Sequence, residues 1–219
     1  MKTLKEYGKW LLEELQNFEE PDLVKNTFSL EELRKQPTLD ASESYIRETL
    51  GAPGGVGGFR TVWFIDETKI IKLAESEDVI RQNKNEWDNS ECVGSQYAVK
   101  VFDYHHKFWW LIEERLELLG QSATIAHISE KLNHEGPQIN TFSQLAFFFE
   151  ESVKWIAWGD GGFTIQKIKM FNHLYSTNEW YKGLLDALKE CQVNSRDFHD
   201  ENWGLRPSTG ELVLLDLGF

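Results

Sequence analysis

A chain of 219 residues can bury a sizeable hydrophobic core, and its 41% hydrophobic content excludes an intrinsically disordered protein. The formal net charge of −13 argues against a nucleic-acid partner, because phosphate binding needs a basic surface. No apolar run approaches the ~18 residues of a membrane span, and no apolar signal core follows the first residues, so we expect no membrane partner.

The two cysteines, Cys92 and Cys191, are far apart in the sequence and form no C-x-x-C pair. We therefore expect no disulfide framework, which fits a reducing cytoplasm. The sequence leaves the oligomeric state open.

The predicted elements divide the chain into three parts. Helical spacing predicts a helix over residues 3–18, and a capping box at Ser29 predicts a short helix that Pro37 stops, so residues 1–45 are interpreted as a helical extension. A glycine-rich loop then leads into predicted strands over residues 61–65, 69–74, 97–104 and 108–112, with a helix inserted over 77–91. The second half has helical patterns over 121–134, 141–158 and 177–191, followed by a loop and a hairpin over 203–215. Strands first and helices later predict an α+β chain with two lobes.

The last part of the chain carries an arrangement typical of phosphoryl transfer. Asp197 is placed to accept the proton of an attacking hydroxyl, and Asn202 and Asp216 are placed to hold Mg²⁺ through oxygen ligands. The predicted hairpin folds the chain back, so that Asp216 returns to the position of Asn202. Asp-x-x-x-x-Asn alone is a weak signal, since Asp and Asn are common in loops.

The rest of a nucleotide site lies upstream, in order. A lysine on a strand, Lys72, can reach phosphates as a point charge, and Glu86 on the next helix can pair with it. Glu113 and Glu114 end a strand where the chain changes from sheet to helix, so their backbone groups are candidates for binding adenine. The preceding loop offers glycines that let amides approach phosphates: Gly55, Gly57 and Gly58.

Together these motifs resemble the protein-kinase-like superfamily over roughly residues 50–219. The resemblance implies ATP and Mg²⁺ as cofactors, and a two-lobed fold with an antiparallel N-lobe sheet (residues 46–114) and a reduced helical C-lobe (residues 115–219). His199, two residues after Asp197, is more similar to aminoglycoside and other small-molecule kinases, and implies a catalytic role for this histidine. The segment from Gln82 to Glu86 also resembles short bacterial and phage kinase-like proteins. We therefore expect a cytoplasmic location, in the host cell if the protein is phage-encoded.

The sequence departs from this pattern at several points. Arg60 replaces the third glycine of the loop, and we favour a solvated side chain over a phosphate contact. Ser195 stands where the family has a histidine. The family has an activation segment after this motif, but the sequence ends at Phe219, so we expect none here. We also expect the terminal carboxylate to lie near the cleft mouth.

Because Lys72, Glu86, Asp197, Asn202 and Asp216 are all present, we expect an active enzyme that phosphorylates Ser or Thr of a protein. The alternatives are a small-molecule kinase, nucleotidyl transfer, and an inactive kinase-like protein that docks a host protein.

For three other groups of residues we prefer a structural role to a functional one. His105 and His106, with Cys92, lack metal-ligand spacing and are assigned to a turn. The aromatic runs at 109–110 and 147–149 are assigned to core packing rather than base stacking. Residues 155–162 are assigned to a core helix and turn rather than a partner surface.

Overall fold

The computed structural model describes residues 27–56, 59–159, 162–193 and 202–217. Within these ranges the chain is a mixture of helices and antiparallel sheets, which confirms the α+β class predicted from the sequence. The helix predicted over residues 3–18 lies outside the described residues. None of the described helices has the length and apolar character needed to cross a membrane.

Two helices precede the first sheet: α1, Leu30–Arg34, and α2, Leu39–Leu50. Helix α1 begins where the capping box predicts, because the Ser29 hydroxyl accepts a hydrogen bond from the Glu32 amide at 3.4 Å. Helix α2 was not assigned from the sequence. Leu33 and Ile46 are completely buried against Trp63, so both helices pack on the sheet.

The first sheet has five antiparallel strands in the order β1-β2-β3-β5-β4. They are β1 Gly55–Val56, β2 Arg60–Phe64, β3 Lys69–Ala74, β4 Val101–Tyr104 and β5 Trp110–Glu114. Strand β5 begins two residues later than predicted because Phe108 belongs to the preceding turn. Its φ is 58°, and its amide donates to the His105 carbonyl at 2.6 Å.

Alternation along the strands gives the sheet two different faces. Trp63, opposite Ile71 in the register of β2 and β3, points towards α1 and α2 in a hydrophobic core. Because successive side chains of a strand point to opposite faces, Val62 and Lys72 point to the other face, together with Arg60. This second face is the one that carries charge.

Helix α3, Ile80–Val93, follows a 3-10 turn at Glu77–Val79 and covers the charged face. Its buried residues, Asn83, Glu86, Ser90 and Val93, recur at spacings of three and four, which puts them on one side of the helix. Asn83 donates its amide to the carbonyls of Phe108 at 2.9 Å and Trp109 at 3.2 Å, which holds the helix against the sheet.

The second part of the chain combines helices with a three-stranded antiparallel sheet in the order β6-β7-β8. Its elements are β6 Glu117–Leu118, α4 Gln121–Lys131, α5 Phe142–Trp158, α6 Ile165–Thr177, α7 Glu179–Glu190, β7 Trp203–Leu205 and β8 Leu212–Leu214. The predicted hairpin and three of these helices are confirmed. Helix α6 was missed, although Ile168, Phe171 and Leu174 recur at helical spacing.

This part has its own hydrophobic core, which is rich in aromatic side chains from α5, α6, α7 and β7. It includes Phe148, Phe149, Phe171, Tyr181 and Trp203. The predicted core role of the aromatic runs is confirmed for Phe148 and Phe149, and for Trp109 and Trp110 in the first core. Phe147 is the exception, with 53% of its surface exposed.

A short segment before β4 links the hairpin to the first sheet. Ala98 forms a parallel bridge with Leu214, and hydrogen bonds of 2.7 Å join Leu214 to the backbone of both Tyr97 and Val99. Arg206, at the end of β7, pairs with Glu114 at 2.9 Å and donates to the Ala98 carbonyl at 3.0 Å. The hairpin is therefore held beside the edge of the charged face.

The prediction that the cysteines form no disulfide is wrong. Cys92, near the end of α3, is bonded to Cys191, which caps α7, across a sequence separation of 99 residues. Helices α3 and α7 pack against each other, and this tertiary contact brings the Cα atoms to 5.7 Å. The cysteine argument for a reducing cytoplasm therefore no longer holds.

Candidate functional site

Lys72 is the centre of a buried ion-pair network. Lys72 lies on the central strand β3 and points to the face that α3 covers, so the lysine is only 7% exposed. Its Nζ is 2.6 Å from Glu86 Oε1 and 2.8 Å from Glu113 Oε2. The pairing of Lys72 with Glu86 agrees with the sequence prediction. Burial opposes the charge of Lys72, but Glu113 and Glu86 raise its pKa above the ordinary value.

Glu86 is fully buried and holds two cations. Besides Lys72, it pairs with the guanidinium of Arg60, and its Oε1 accepts a hydrogen bond from the Asp216 amide at 3.0 Å. Burial alone would raise the pKa of this carboxyl, but Arg60 and Lys72 lower it to about 2. Glu86 thus stays ionised and joins α3 to the sheet and to the end of the hairpin.

The expectation that Arg60 is solvated is wrong. Its side chain is 7% exposed, and the guanidinium bridges the carboxylates of Glu86 and Asp216. Burial disfavours the charge, yet Glu86 and Asp216 raise the pKa of Arg60 above its usual range. Strand alternation could have indicated this position. Arg60 is two residues from Val62, so both point to the same face of the sheet, and Val62 is opposite Lys72.

Glu113 contributes its side chain to the site. It is completely buried, and neither carboxylate oxygen has a hydrogen-bond partner among the described residues, although Lys72 lies at ion-pair distance. Burial and the charge of Glu86 raise its pKa to about 7, and they outweigh the opposing effect of Lys72. Glu113 is therefore the member of the network that takes up a proton near neutral pH.

The amides next to Glu113 are engaged in the fold. The Glu114 amide donates to the Lys100 carbonyl at 2.9 Å, and the Arg115 amide donates to the Thr68 carbonyl at 2.7 Å. The Glu114 side chain is held by Arg206. Both amides are hydrogen-bonded within the fold, and adenine binding by backbone groups of Glu113 and Glu114 stays a prediction.

The hairpin brings Asn202 next to the segment that carries Asp216. Strands β7 and β8 pair antiparallel, and the Leu215 amide donates to the Asn202 carbonyl at 2.9 Å, just beyond the last strand pair. The fold-back predicted from the sequence is therefore present. Asp216 has a φ of 58°, and the Asn89 amide group of α3 donates to the Leu217 carbonyl at 2.6 Å, so the segment is anchored on both sides.

A cleft of about 250 Å³ lies between the charged face of the first sheet and the hairpin. Apolar side chains line most of it, including Val62, Ile70, Val99, Leu116, Leu118 and Leu215. Lys72, Glu113 and Asp216 line it too, as does Gly55 of β1. A second concavity, of about 540 Å³ beside α4, includes none of these network residues. An apolar cleft with a few converging charges is the usual form of a small-molecule site.

Several predicted residues cannot be placed by the structure. Asp197, His199, Gly57 and Gly58 lie outside the described residues, and so do Ser195, Gly218 and Phe219. The structure brings Lys72, Glu86, Glu113 and Asp216 together through one chain of ionic contacts that includes Arg60. Asn202 is hydrogen-bonded to Leu215, the residue before Asp216.

The turn assigned to His105 and His106 is confirmed. His105 stacks on Trp109 with ring centres 4.3 Å apart, and burial lowers its pKa to about 4. No group of three or more His, Cys, Asp and Glu residues within the described ranges has an arrangement that could hold a metal ion.

Neither the profiles of known protein families nor the curated proteins match this chain. The case for a function therefore rests on the cleft and its ion-pair network.

Proposed function

We propose that this chain has a two-lobed protein-kinase-like fold and transfers the γ-phosphoryl group of ATP to a hydroxyl, with Ser or Thr of a protein as the acceptor. Residues 46–114 form the N-lobe in this proposal, and residues 115–219 form a reduced C-lobe. The observation that carries it is the 2.6 Å ion pair between Lys72 of a central strand and Glu86 of the covering helix, at the wall of an apolar cleft.

Lys72 is the group that binds the phosphates. A lysine holds a phosphate as a point charge, and a carboxylate behind it fixes the position of that charge. Glu86 has this supporting role because it is fully buried and also held by Arg60. The phosphates of a bound nucleotide would replace Glu113 as the second anionic partner of Lys72.

Asp216 and Asn202 are the residues that would hold Mg²⁺. A carboxylate and an amide supply the oxygen ligands that Mg²⁺ prefers, and the remaining positions go to phosphate and water. When bound, ATP and Mg²⁺ supply the transferable group and neutralise its charge. Asp216 lines the cleft with 27% of its side chain exposed, which fits a ligand role, although its carboxylate is engaged by Arg60.

Asp197 orients the acceptor hydroxyl and accepts its proton in this proposal, with His199 close by in the sequence. Catalysis then depends mainly on positioning and charge stabilisation. The resemblance of the 197–202 segment to small-molecule kinases keeps a small hydroxyl compound as the alternative acceptor. The chain's net charge of −13 favours a basic protein as substrate or partner over an acidic one.

Nucleotide binding is tested by the rise in unfolding temperature that ATP with Mg²⁺ produces. A ligand at 100 times its Kd adds about 2.7 kcal/mol to the unfolding free energy. We expect Lys72→Met to weaken ATP binding by about tenfold or more, which is ~1.4 kcal/mol of this stabilisation. Lys69→Met is the matched control, because Lys69 lies on the same strand with its Nζ 5.2 Å from the Phe102 ring. Equal ATP stabilisation of both variants would contradict the role of Lys72.

Phosphoryl transfer is tested with γ-labelled ATP, a host lysate and mass spectrometry of the products. We expect Asp197→Ala to abolish the label transfer and Asp200→Ala, from the same segment, to retain it. Label transfer that is equal in wild type and Asp197→Ala would rule out the catalytic role of Asp197. Products that carry an added nucleotidyl group would show that the reaction is nucleotidyl transfer and not phosphoryl transfer.

One observation favours a second candidate function. The pairing of Arg60 with Asp216 engages the metal-binding carboxylate, as expected for a kinase-like protein that docks a partner without turnover. ATP stabilisation without any label transfer would support this candidate. Transfer that depends on Asp197 would eliminate it.

A further inference from the structure

Arg60 joins three elements next to Asp216, which lines the cleft. It comes from β2, and its guanidinium contacts Glu86 of α3 through one terminal nitrogen and Asp216, after β8, through the other. Asn83 Oδ1 lies 3.5 Å from the same nitrogen that contacts Glu86. The side chain of Arg60 is 7% exposed and that of Asp216 is 27% exposed, so the arginine lies behind a carboxylate that faces the cleft.

This contact determines the electrostatic environment of a cation that binds to Asp216. A guanidinium stays protonated at every physiological pH, so the carboxylate always has a positive neighbour. A divalent ion bound to the same carboxylate would lie within a few ångströms of that neighbour and be repelled by it. Phosphate oxygens reverse this balance, because they bring both further ligands and negative charge.

We propose that Arg60 is a positioning residue that keeps Asp216 from binding a divalent cation until a nucleotide is present, so that the metal enters the cleft only together with phosphate. This inference rests on the proposed nucleotide site. It also gives Arg60 a second effect, since the same guanidinium holds the Asp216 segment against α3.

The substitution that tests the idea leaves the network largely paired. Glu86 is also paired with Lys72 at 2.6 Å and accepts from the Asp216 amide at 3.0 Å, and Arg60→Met removes neither of these groups. Methionine is long and apolar, which suits a buried position. Arg60→Gln is a second neutral variant that retains hydrogen-bond donors, and Arg60→Lys is the control that retains the charge.

The experiment is a titration of the nucleotide-free protein with Mn²⁺, in which electron paramagnetic resonance measures the unbound ion. We expect Arg60→Met and Arg60→Gln to bind Mn²⁺ at least tenfold more tightly than wild type and Arg60→Lys. Adding Asp216→Asn to Arg60→Met is expected to abolish the gain. In wild type, ATP is expected to raise Mn²⁺ affinity by more than it does in Arg60→Met.

The proposal is overturned if wild type and both neutral variants bind Mn²⁺ equally without nucleotide, or if the gain survives Asp216→Asn. These outcomes are distinct from a failure of the proposed function. If ATP stabilises neither wild type nor any variant, the nucleotide site is rejected, and the Mn²⁺ comparison still decides whether Arg60 controls cation binding at Asp216.

Discussion

At the scale of single residues, strand alternation and helical spacing together explain the ion pair between Lys72 and Glu86. Alternation along β3 turns Lys72 to the face opposite Ile71, and helical spacing in α3 turns Glu86 towards that same face. Buried ion pairs are weak evidence for stability, because desolvation offsets much of their attraction. Removing one partner leaves an uncompensated charge. We therefore expect removal of a carboxylate from this network to change the free energy of unfolding.

Glu113 is expected to make the protein less stable as the pH rises through the range between its two pKa values. Its pKa is about 7 in the folded chain and near 4.5 in the unfolded chain, so between these values only the folded state holds the proton. We expect Glu113→Gln to flatten this decline, and to be more stable than wild type above pH 7 by about 3 kcal/mol. Urea unfolding from pH 4.5 to 8 measures the effect.

Glu114→Gln is the control for this prediction, because it removes the neighbouring carboxylate, which binds Arg206. It is expected to lower stability while keeping the decline between pH 4.5 and 7. Parallel pH profiles for Glu113→Gln and wild type would show that Glu113 is not the group responsible.

At the scale of elements, helix ends decide how the helical part is assembled. Asn178 caps α7 by accepting from the Tyr181 amide at 2.8 Å, and its own amide donates to the Lys131 carbonyl at the end of α4 at 2.7 Å. One side chain that is 4% exposed thus satisfies the termini of two helices. Thr164 caps α6 in an exposed position, with a single contact of 3.4 Å.

Asn178→Ala is expected to lower the unfolding free energy by about 2–3 kcal/mol, because it removes a cap and leaves a partly buried carbonyl without this donor. Thr164→Ala, which removes only an exposed cap, is expected to cost about 0.5–1 kcal/mol. Chemical denaturation of both variants gives the comparison. A cost for Asn178→Ala no larger than that for Thr164→Ala would show that the bond to Lys131 contributes little.

At the scale of the whole molecule, several kinds of contact join the two hydrophobic cores within the described residues. They include the bridge between Ala98 and Leu214, the Arg206 contacts, the network of Arg60, and the disulfide between Cys92 and Cys191. The disulfide links the helix that carries Glu86 to the helical core. The position of Glu86 therefore depends on both cores.

We expect full reduction of the disulfide to lower the unfolding free energy by about 2–4 kcal/mol, because a bond across a separation of 99 residues restricts the unfolded chain strongly. The double variant Cys92→Ala with Cys191→Ala should match the reduced wild type and be insensitive to reductant. Denaturation with and without reductant, with a thiol count to establish complete reduction, makes the measurement. Equal stability of oxidised and reduced wild type would contradict a stabilising role for this bond.

Most of the strands and helices were predictable from local patterns. The sequence indicated the β2–β3 hairpin, helix α3 and the hairpin that ends near Asp216, because periodicity and turn residues are local signals. Lys72 and Glu86 could be paired in advance since both lie on such elements. Helix α6 was not predicted, although its apolar residues recur at helical spacing and made it predictable.

What the sequence determined by itself is therefore the order and type of the elements and the identity of the charged residues. Tertiary structure alone decided which charges meet: Arg60 with Asp216 across 156 residues, Glu113 with Lys72, and Cys92 with Cys191. The physical reason is that burial and ion pairing depend on distances between elements that are remote in the chain. Local propensity carries no information about those distances.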